Sequence, residues 1–261
     1  MKTMKSSLLS VGLACGLLAG FSGTSNAAVV YNEIFENTTA ANLLTSSAGW
    51  QYWINVSGVR SNQTSSASNS AISNLAGRPA ADLPVNSGPT AAQANGFAFI
   101  SGIASPLVYM TQEYQAIDVA NLTSASFWLG NSYDAAGGPT AGARVVLEIG
   151  GAWYVSTQSN QQFIPGGGGG FSTQAVQKTL TMAGSTWESL VFTTGSAISV
   201  GSSVTLPTSG LITGFGIYAN TPPANIRFDN FTLDAIPEPT TLALLAGSLS
   251  ALVVFRRRRQ A

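Results

Sequence analysis

Between residues 28 and 235 the chain is a series of short β-prone runs, each interrupted by Gly, Pro, Asn or Ser before it can lengthen. The runs are 28–35 (AVVYNEIF), 49–56 (GWQYWINV), 97–100 (FAFI), 107–110, 113–119, 123–130 (TSASFWLG), 144–149 (RVVLEI), 152–157 (AWYVST), 175–182, 186–193, 211–219 (LITGFGIYA) and 225–233 (NIRFDNFTL). They are rich in β-branched and aromatic residues, which suit a pleated, half-buried surface. Nowhere do apolar residues recur at helical spacing for three turns. About ten to twelve short strands with turn signals between them specify an all-β body, a sandwich or a barrel. No repeat of fixed period is present, so the pattern does not support a solenoid or propeller.

Particular residues sharpen this. Gly150-Gly151 joins two runs and supplies the positive φ of a tight hairpin turn. Residues 183–185 (AGS) join two more. Gly214 and Gly216 interrupt an alternating run, which marks a bulge or a close backbone approach. In 225–233 the apolar phase shifts at Asp229-Asn230, as an inserted bulge residue would make it do. Segments 36–48, 131–143 and 158–172 read as loops, and 57–93 as long loops with one short strand. The run Gly166 to Gly170 is read as flexible loop: no GK[ST] follows it, as phosphate binding would require.

The two ends of the chain differ from the body. Lys2 and Lys5 precede an apolar run at 8–21, and Ser25-Asn26-Ala27 provides small residues for cleavage after Ala27. That is the order of a secretory signal peptide, which implies the secretion machinery and a signal peptidase as partners. At the other end stand Pro237-Glu238-Pro239, an apolar run of 14 residues at 242–255, and Arg256, Arg257, Arg258 and Arg259. The run is shorter than the roughly 20 residues of a comfortable spanning helix. The arginines should stay on the cytoplasmic side as a membrane stop. The expected organisation is a signal peptide at 1–27, one β-sandwich domain at 28–235, and a sorting segment with a short transmembrane helix at 236–261.

In order and position, the C-terminal features resemble the PEP-CTERM sorting signal of bacterial exported proteins. The resemblance covers about a tenth of the chain. It implies export, temporary membrane anchoring, and an exosortase-type membrane protease that recognises Pro237, Glu238 and Pro239 and removes the tail. It implies nothing about the body's activity.

Composition limits that activity. Over the full chain 11 basic and 11 acidic residues balance. Six of the basic residues and one acidic residue lie in the two end segments, leaving the body a net charge close to −5. Nucleic acid, whose phosphates need a basic face, is therefore not an expected partner. The chain has no His, and its one Cys, Cys15, lies in the N-terminal apolar run. Nucleophilic triads and imidazole or thiolate metal sites cannot be built in the body. Carboxylate chemistry of the glycosidase type remains. Its candidates are Glu113, Asp118, Asp134, Glu148 and Glu188.

Phe35-Glu36 after the first strand, Phe228-Asp229-Asn230-Phe231 in the last, and the GFGIY strand before it resemble jelly-roll, carbohydrate-binding-like β-sandwich modules. In such modules the first and last strands lie side by side and often hold a structural calcium. Carried over, Glu36 and Asp229 become calcium ligands, with Asn230 or Asn37 beside them; calcium takes six to eight hard oxygens. Aromatic residues suggest sugar stacking. Trp50, Tyr52, Trp153 and Tyr154 are the candidates, with Trp153 at a hairpin tip, while Trp53 points to the opposite face from Trp50 and Tyr52. Trp128 and Trp187 are assigned to the core. Five glycosylation sequons begin at Asn37, Asn55, Asn62, Asn121 and Asn230. The expected role is a non-catalytic cell-surface or matrix protein associating with extracellular polysaccharide. The alternatives are a glycan-active enzyme using two carboxylates and a purely structural or adhesive protein.

Overall fold

In the computed structural model the described residues are 26–35, 43, 45–62, 70–74, 96–103, 106–112, 117–133, 142–161, 176–219 and 224–237. Ala28–Ala235 form one compact unit. Two antiparallel sheets build it. One holds β1 (Ala28–Glu33), β4 (Ser70–Asn74), β5 (Gly96–Ile103), β8 (Leu122–Tyr133), β11 (Val176–Thr181) and β15 (Ala224–Ala235). The other holds β2 (Trp50–Val56), β3 (Val59–Asn62), β6 (Leu107–Thr111), β7 (Ile117–Asp118), β9 (Arg144–Ile149), β10 (Ala152–Ser156), β12 (Trp187–Val191), β13 (Ser199–Val204) and β14 (Leu211–Ala219).

In the first sheet the order is β11-β8-β15-β5-β4, and β1 lies end to end with β5 along one edge of β15. First and last strands are thus neighbours. In the second sheet the order is β13-β12-β10-β9-β14-β6-β2-β3, with β7 on β14. Inward residues of both sheets share one core. Ala125, Phe127, Leu129, Phe228, Phe231 and Leu233 come from the first sheet, and Trp50, Tyr109, Leu147, Phe215 and Ile217 from the second. This is a β-sandwich.

Several turn signals act as anticipated. Gly150 and Gly151 have φ of 60° and 81° and close the β9–β10 hairpin. Asn230 has φ 50°, and the β15–β8 register shifts between Asp229 and Thr232, which places the bulge where the phase slips. A Cβ on Gly216 would lie 2.0 Å from the Tyr109 carbonyl oxygen, so only glycine lets β14 and β6 pack this closely.

Other expectations need correction. The described residues of 57–93 hold two strands, β3 and β4, where one was expected. The missed signal is Ser57-Gly58, whose φ of 51° and 79° make the two-residue turn of the β2–β3 hairpin. The polar strand β13 (SVGSSV) carries too little apolar periodicity to be read from sequence. Of the expected run 113–119 the described residues are 117–119: Ile117–Asp118 form strand β7, and a single 3-10 turn follows at Val119–Asn121. The strands on either side of 183–185 do not pair with each other. β11 joins β8 in the first sheet and β12 joins β10 in the second, so this turn crosses between sheets.

Outside the described residues lie the signal segment up to 25, the apolar run 242–255, Glu238, Pro239, Arg256, Arg257, Arg258, Arg259, Glu36, Asn37, Glu113, Asp134 and Gly166 to Gly170. The expected transmembrane helix lies among them. Among the described residues, no helix is long and apolar enough to cross a membrane.

Candidate functional site

Strand alternation puts a second set of large side chains on the far face of the second sheet, away from the shared core. Val108, Met110, Val146, Trp153, Val155, Leu190 and Tyr218 form this layer, and Trp53 packs against it. Residues 192–198, between β12 and β13, cross it. Phe192 and Ile198 insert into the layer. The Phe192 ring meets Trp153 at 4.8 Å and Trp53 at 5.5 Å between centroids.

The crossing segment is fastened to the β2–β3 hairpin. Asn55 binds both backbone groups of Ile198: its Oδ1 accepts from the Ile198 N–H at 2.6 Å and its Nδ2 donates to the carbonyl at 3.2 Å. The Arg60 N–H donates to the Ser196 carbonyl at 2.8 Å. The guanidinium of Arg60 donates to the Phe192 carbonyl at 2.8 Å and to Thr194 Oγ1 at 2.9 Å. It also lies 4.3 Å from the Trp53 ring centroid and 4.5 Å from that of Phe192. Burial pushes the Arg60 guanidinium down from its ordinary value, and the charge of Glu148 acts in the opposite direction. In sheet order β2 stands five strands from β12. That is roughly 24 Å on a flat sheet, so the sheet must curl around this face for the two to meet.

Two expected carboxylates lie on the same face. Glu148 accepts from Gln112 Nε2 at 2.9 Å. Glu188 is ion-paired with Arg144, whose Nε also donates to the Ser156 carbonyl at 2.5 Å. Glu148 is opposite Trp153 and Glu188 opposite Val155, with β10 between them. Along and across the strands their Cα atoms stand roughly 12 Å apart. Asp118 serves the backbone, accepting from the N–H groups of Ala120 at 2.8 Å and Gly210 at 3.2 Å.

The proposed aromatic platform is corrected by burial. Trp50 is the hub of the shared core. It stacks on Tyr109 at 5.2 Å, meets Phe35 and Phe231 edge-on, and donates its indole N–H to Tyr31 Oη at 3.0 Å. Tyr52 is buried beside it, and burial raises its phenol pKa above the ordinary range. Trp153 belongs to the second apolar layer, not to an exposed tip. None of these three offers a ring face to a sugar. Tyr154 is half-buried against the shared core. Trp128 and Trp187 are buried, as assigned. Of the sequon asparagines, Asn55 is engaged by Ile198, and Asn62 is exposed at the end of β3.

At the β1–β15 junction Asp229 is buried and its carboxyl is held well above the usual range. Burial is the main cause, the Asn230 N–H at 2.7 Å opposes it, and the nearby Glu33 charge adds to it. Glu33 in turn accepts from the Phe35 N–H at 2.7 Å, beneath a Phe35 φ of 45°. The acidic neighbour brought to Asp229 among the described residues is thus Glu33. Two carboxylates are a partial donor set for calcium, and among the described residues no group of three or more acidic, His or Cys side chains gathers.

Sequence reasoning found Glu148, Glu188 and Asp229 but missed Arg60, Arg144 and the crossing segment. The one available signal was Trp53, out of phase with Trp50 and Tyr52: a large aromatic on the outer face needs a cover. Compared with known proteins, this chain matches no protein-family model and no curated protein.

Proposed function

We propose that this chain is an exported, non-catalytic cell-surface or extracellular-matrix protein with a jelly-roll-like body, sorted by a PEP-CTERM-type tail and associating with extracellular polysaccharide. The N-terminal Lys-apolar-small order and the C-terminal Pro-Glu-Pro, apolar and Arg order support export, with an exosortase-type protease as partner. The observation that carries the non-catalytic reading is the bonding of the outer-face carboxylates. Glu188 is neutralised by Arg144, Glu148 is held by Gln112, and Asp118 caps backbone. Polysaccharide contact then rests on the hydroxyl- and amide-rich surface, not on an aromatic platform.

Glycan-array binding by residues 28–235, with E148Q and E188Q beside them, tests this. Binding retained in both variants supports the proposal. Glycan turnover that either variant abolishes assigns an enzyme instead. Absence of both points to a structural or adhesive protein.

Calcium held by Asp229 and Glu36, with Glu33 added by the geometry, is part of the same proposal. A cation would relieve the cost of a buried acid beside a second carboxylate. The sign is decisive. A folded pKa above the unfolded one penalises the ionised fold above the folded pKa. Without a cation Asp229→Asn therefore raises the melting midpoint at neutral pH. With calcium bound the same substitution lowers it and removes the response to a chelator. A midpoint indifferent to chelator removes Glu36 and Asp229 as ligands.

A further inference from the structure

Alternation gives the first sheet a second face, opposite the shared core. Ala125 and Phe127 of β8, Leu180 of β11, and Phe231 and Leu233 of β15 belong to the core, and Tyr31 of β1 packs against it. Their neighbours along each strand therefore point outward: Ser124 and Ser126, Thr179 and Thr181, Thr232 and Asp234, and Asn32.

Register lines these residues up. Thr181 is opposite Ser124, and Ser124 is opposite Asp234. Thr179 is opposite Ser126, Ser126 opposite Thr232, and Thr232 opposite Asn32. Two rows thus cross β11, β8 and β15. The second reaches β1, which pairs with β15 from Ala28 against Ala235 to Glu33 against Phe231. The longer row spans roughly 14 Å, and the two rows lie roughly 7 Å apart. A third row, Gln177, Trp128 and Asp229, borders them, with Trp128 and Asp229 buried.

Every side chain in the two rows ends in a hydroxyl, an amide or a carboxylate. Several are held in place by one another. Ser124 Oγ donates to Asp234 Oδ2 at 2.7 Å, Thr232 Oγ1 donates to Asn32 Oδ1 at 3.2 Å, and Gln177 Nε2 donates to Ser126 Oγ at 3.4 Å. Thr179, Thr181 and Asn32 are exposed, and Ser124, Thr232 and Asp234 are half-buried. Hydroxyls donate and accept, and an amide N–H2 donates, so the strip suits a ligand that is itself a repeating line of hydroxyls. Side chains fixed beforehand lose less freedom on binding. Asp234 is the one charged group in the two rows. A uronate or sulfated chain would meet repulsion there, and a neutral chain would not.

Strand β13 (SVGSSV) is also rich in hydroxyls but offers no such rows. Its register against β12 shifts between Glu188 and Leu190, which breaks the line of side chains across the strands.

We propose that the two rows on β11, β8, β15 and β1 bind a neutral polysaccharide chain laid across the strands, an inference that rests on the polysaccharide reading above.

The test uses the full chain in mild detergent and measures its retention on gels carrying galactomannan or mixed-linkage β-glucan, both neutral, or polygalacturonate, which is anionic. The parent should be held by a neutral polysaccharide and not by polygalacturonate. Thr179→Val with Thr181→Val keeps the β-branched shape at two exposed positions and removes both hydroxyls. It should weaken retention about ten-fold and leave the melting midpoint unchanged. Asn32→Ala, on a different strand, should weaken retention several-fold. Ser199→Ala with Ser203→Ala, on β13, should leave it as in the parent. Equal retention of the parent, the double valine variant and Asn32→Ala overturns the site alone, and so does a loss confined to the β13 variant. Retention on polygalacturonate alone overturns the neutral ligand. A parent held by none of the three gels overturns the polysaccharide reading and the site with it.

Discussion

The two apolar layers of this body are closed in different ways. The shared core lies between two sheets, so every strand that delivers a Trp or Phe to it also has its backbone paired on a ladder. Among the described residues, the layer on the far face of the second sheet has no third sheet above it. It is covered by seven residues, 192–198, held by one asparagine side chain, one arginine and two aromatic contacts. Sheet-on-sheet burial is non-directional and large in area. A crossing loop buries little, so its bonds must be directional, and each contributes only about 1 kcal/mol. One layer should therefore resist local opening while the other opens first.

The largest effect should come from Trp50→Ala. It removes the hub of the shared core and leaves Tyr31 without its indole donor, at about 3–5 kcal/mol in urea unfolding. A loss no greater than that of Trp153→Ala would break the ranking of the layers. Gly216→Ala comes next. Its Cβ would meet backbone and not a side chain that can turn aside, so about 1–3 kcal/mol is expected. Gly214→Ala should cost less, because its Cβ meets the ends of Trp153 and Glu148.

Glu188→Gln should cost about 1–2 kcal/mol, less than a wholly buried pair because Glu188 is partly exposed. Raising salt should narrow that difference. Arg60→Ala should change the melting midpoint least, yet accelerate amide exchange in 192–198 and increase quenching of Trp53 and Trp153 by acrylamide. Unchanged exchange in that segment would show that the aromatic insertion alone holds it.

Alkaline pH separates the layers in another way. The Tyr218 phenol, in the second layer, is pushed up to about 12, first by burial, with Arg144 lowering it and Glu188 raising it. A folded pKa above the unfolded value of about 10 means that the contribution is intact below pH 10 and is lost as pH climbs toward 12. Tyr218→Phe should flatten the stability curve across that window, as judged by melting at pH 9, 10, 11 and 12. A curve as steep as that of the parent would assign the loss to Tyr52 in the shared core.

Much of this was legible from residues close together in sequence. The alternation in 225–233 gave strand β15, its phase slip gave the bulge at Asp229-Asn230, and Gly150-Gly151 gave a hairpin. Each depends on backbone conformation within a few residues. The β2–β3 hairpin was missed because Ser57 adopts positive φ without being Gly, Asn or Asp, the residues that usually signal it. The site was less legible. Carboxylates announce themselves by type, but their partners Arg144 and Gln112 lie 44 and 36 residues away, and only sheet order brings them together.

By itself the amino-acid sequence determined that the body is made of strands, that it has neither thiol nor imidazole to work with, and roughly where several of its strands lie, because those properties reside in side-chain type and local φ preference. Only the tertiary structure decided that the turn at 183–185 changes sheets, that Trp50 looks inward to a core while Trp53 looks outward to a cover, and that Ala28 meets Ala235. The reason is that period-two alternation tells a strand it has two faces without saying what lies on either one.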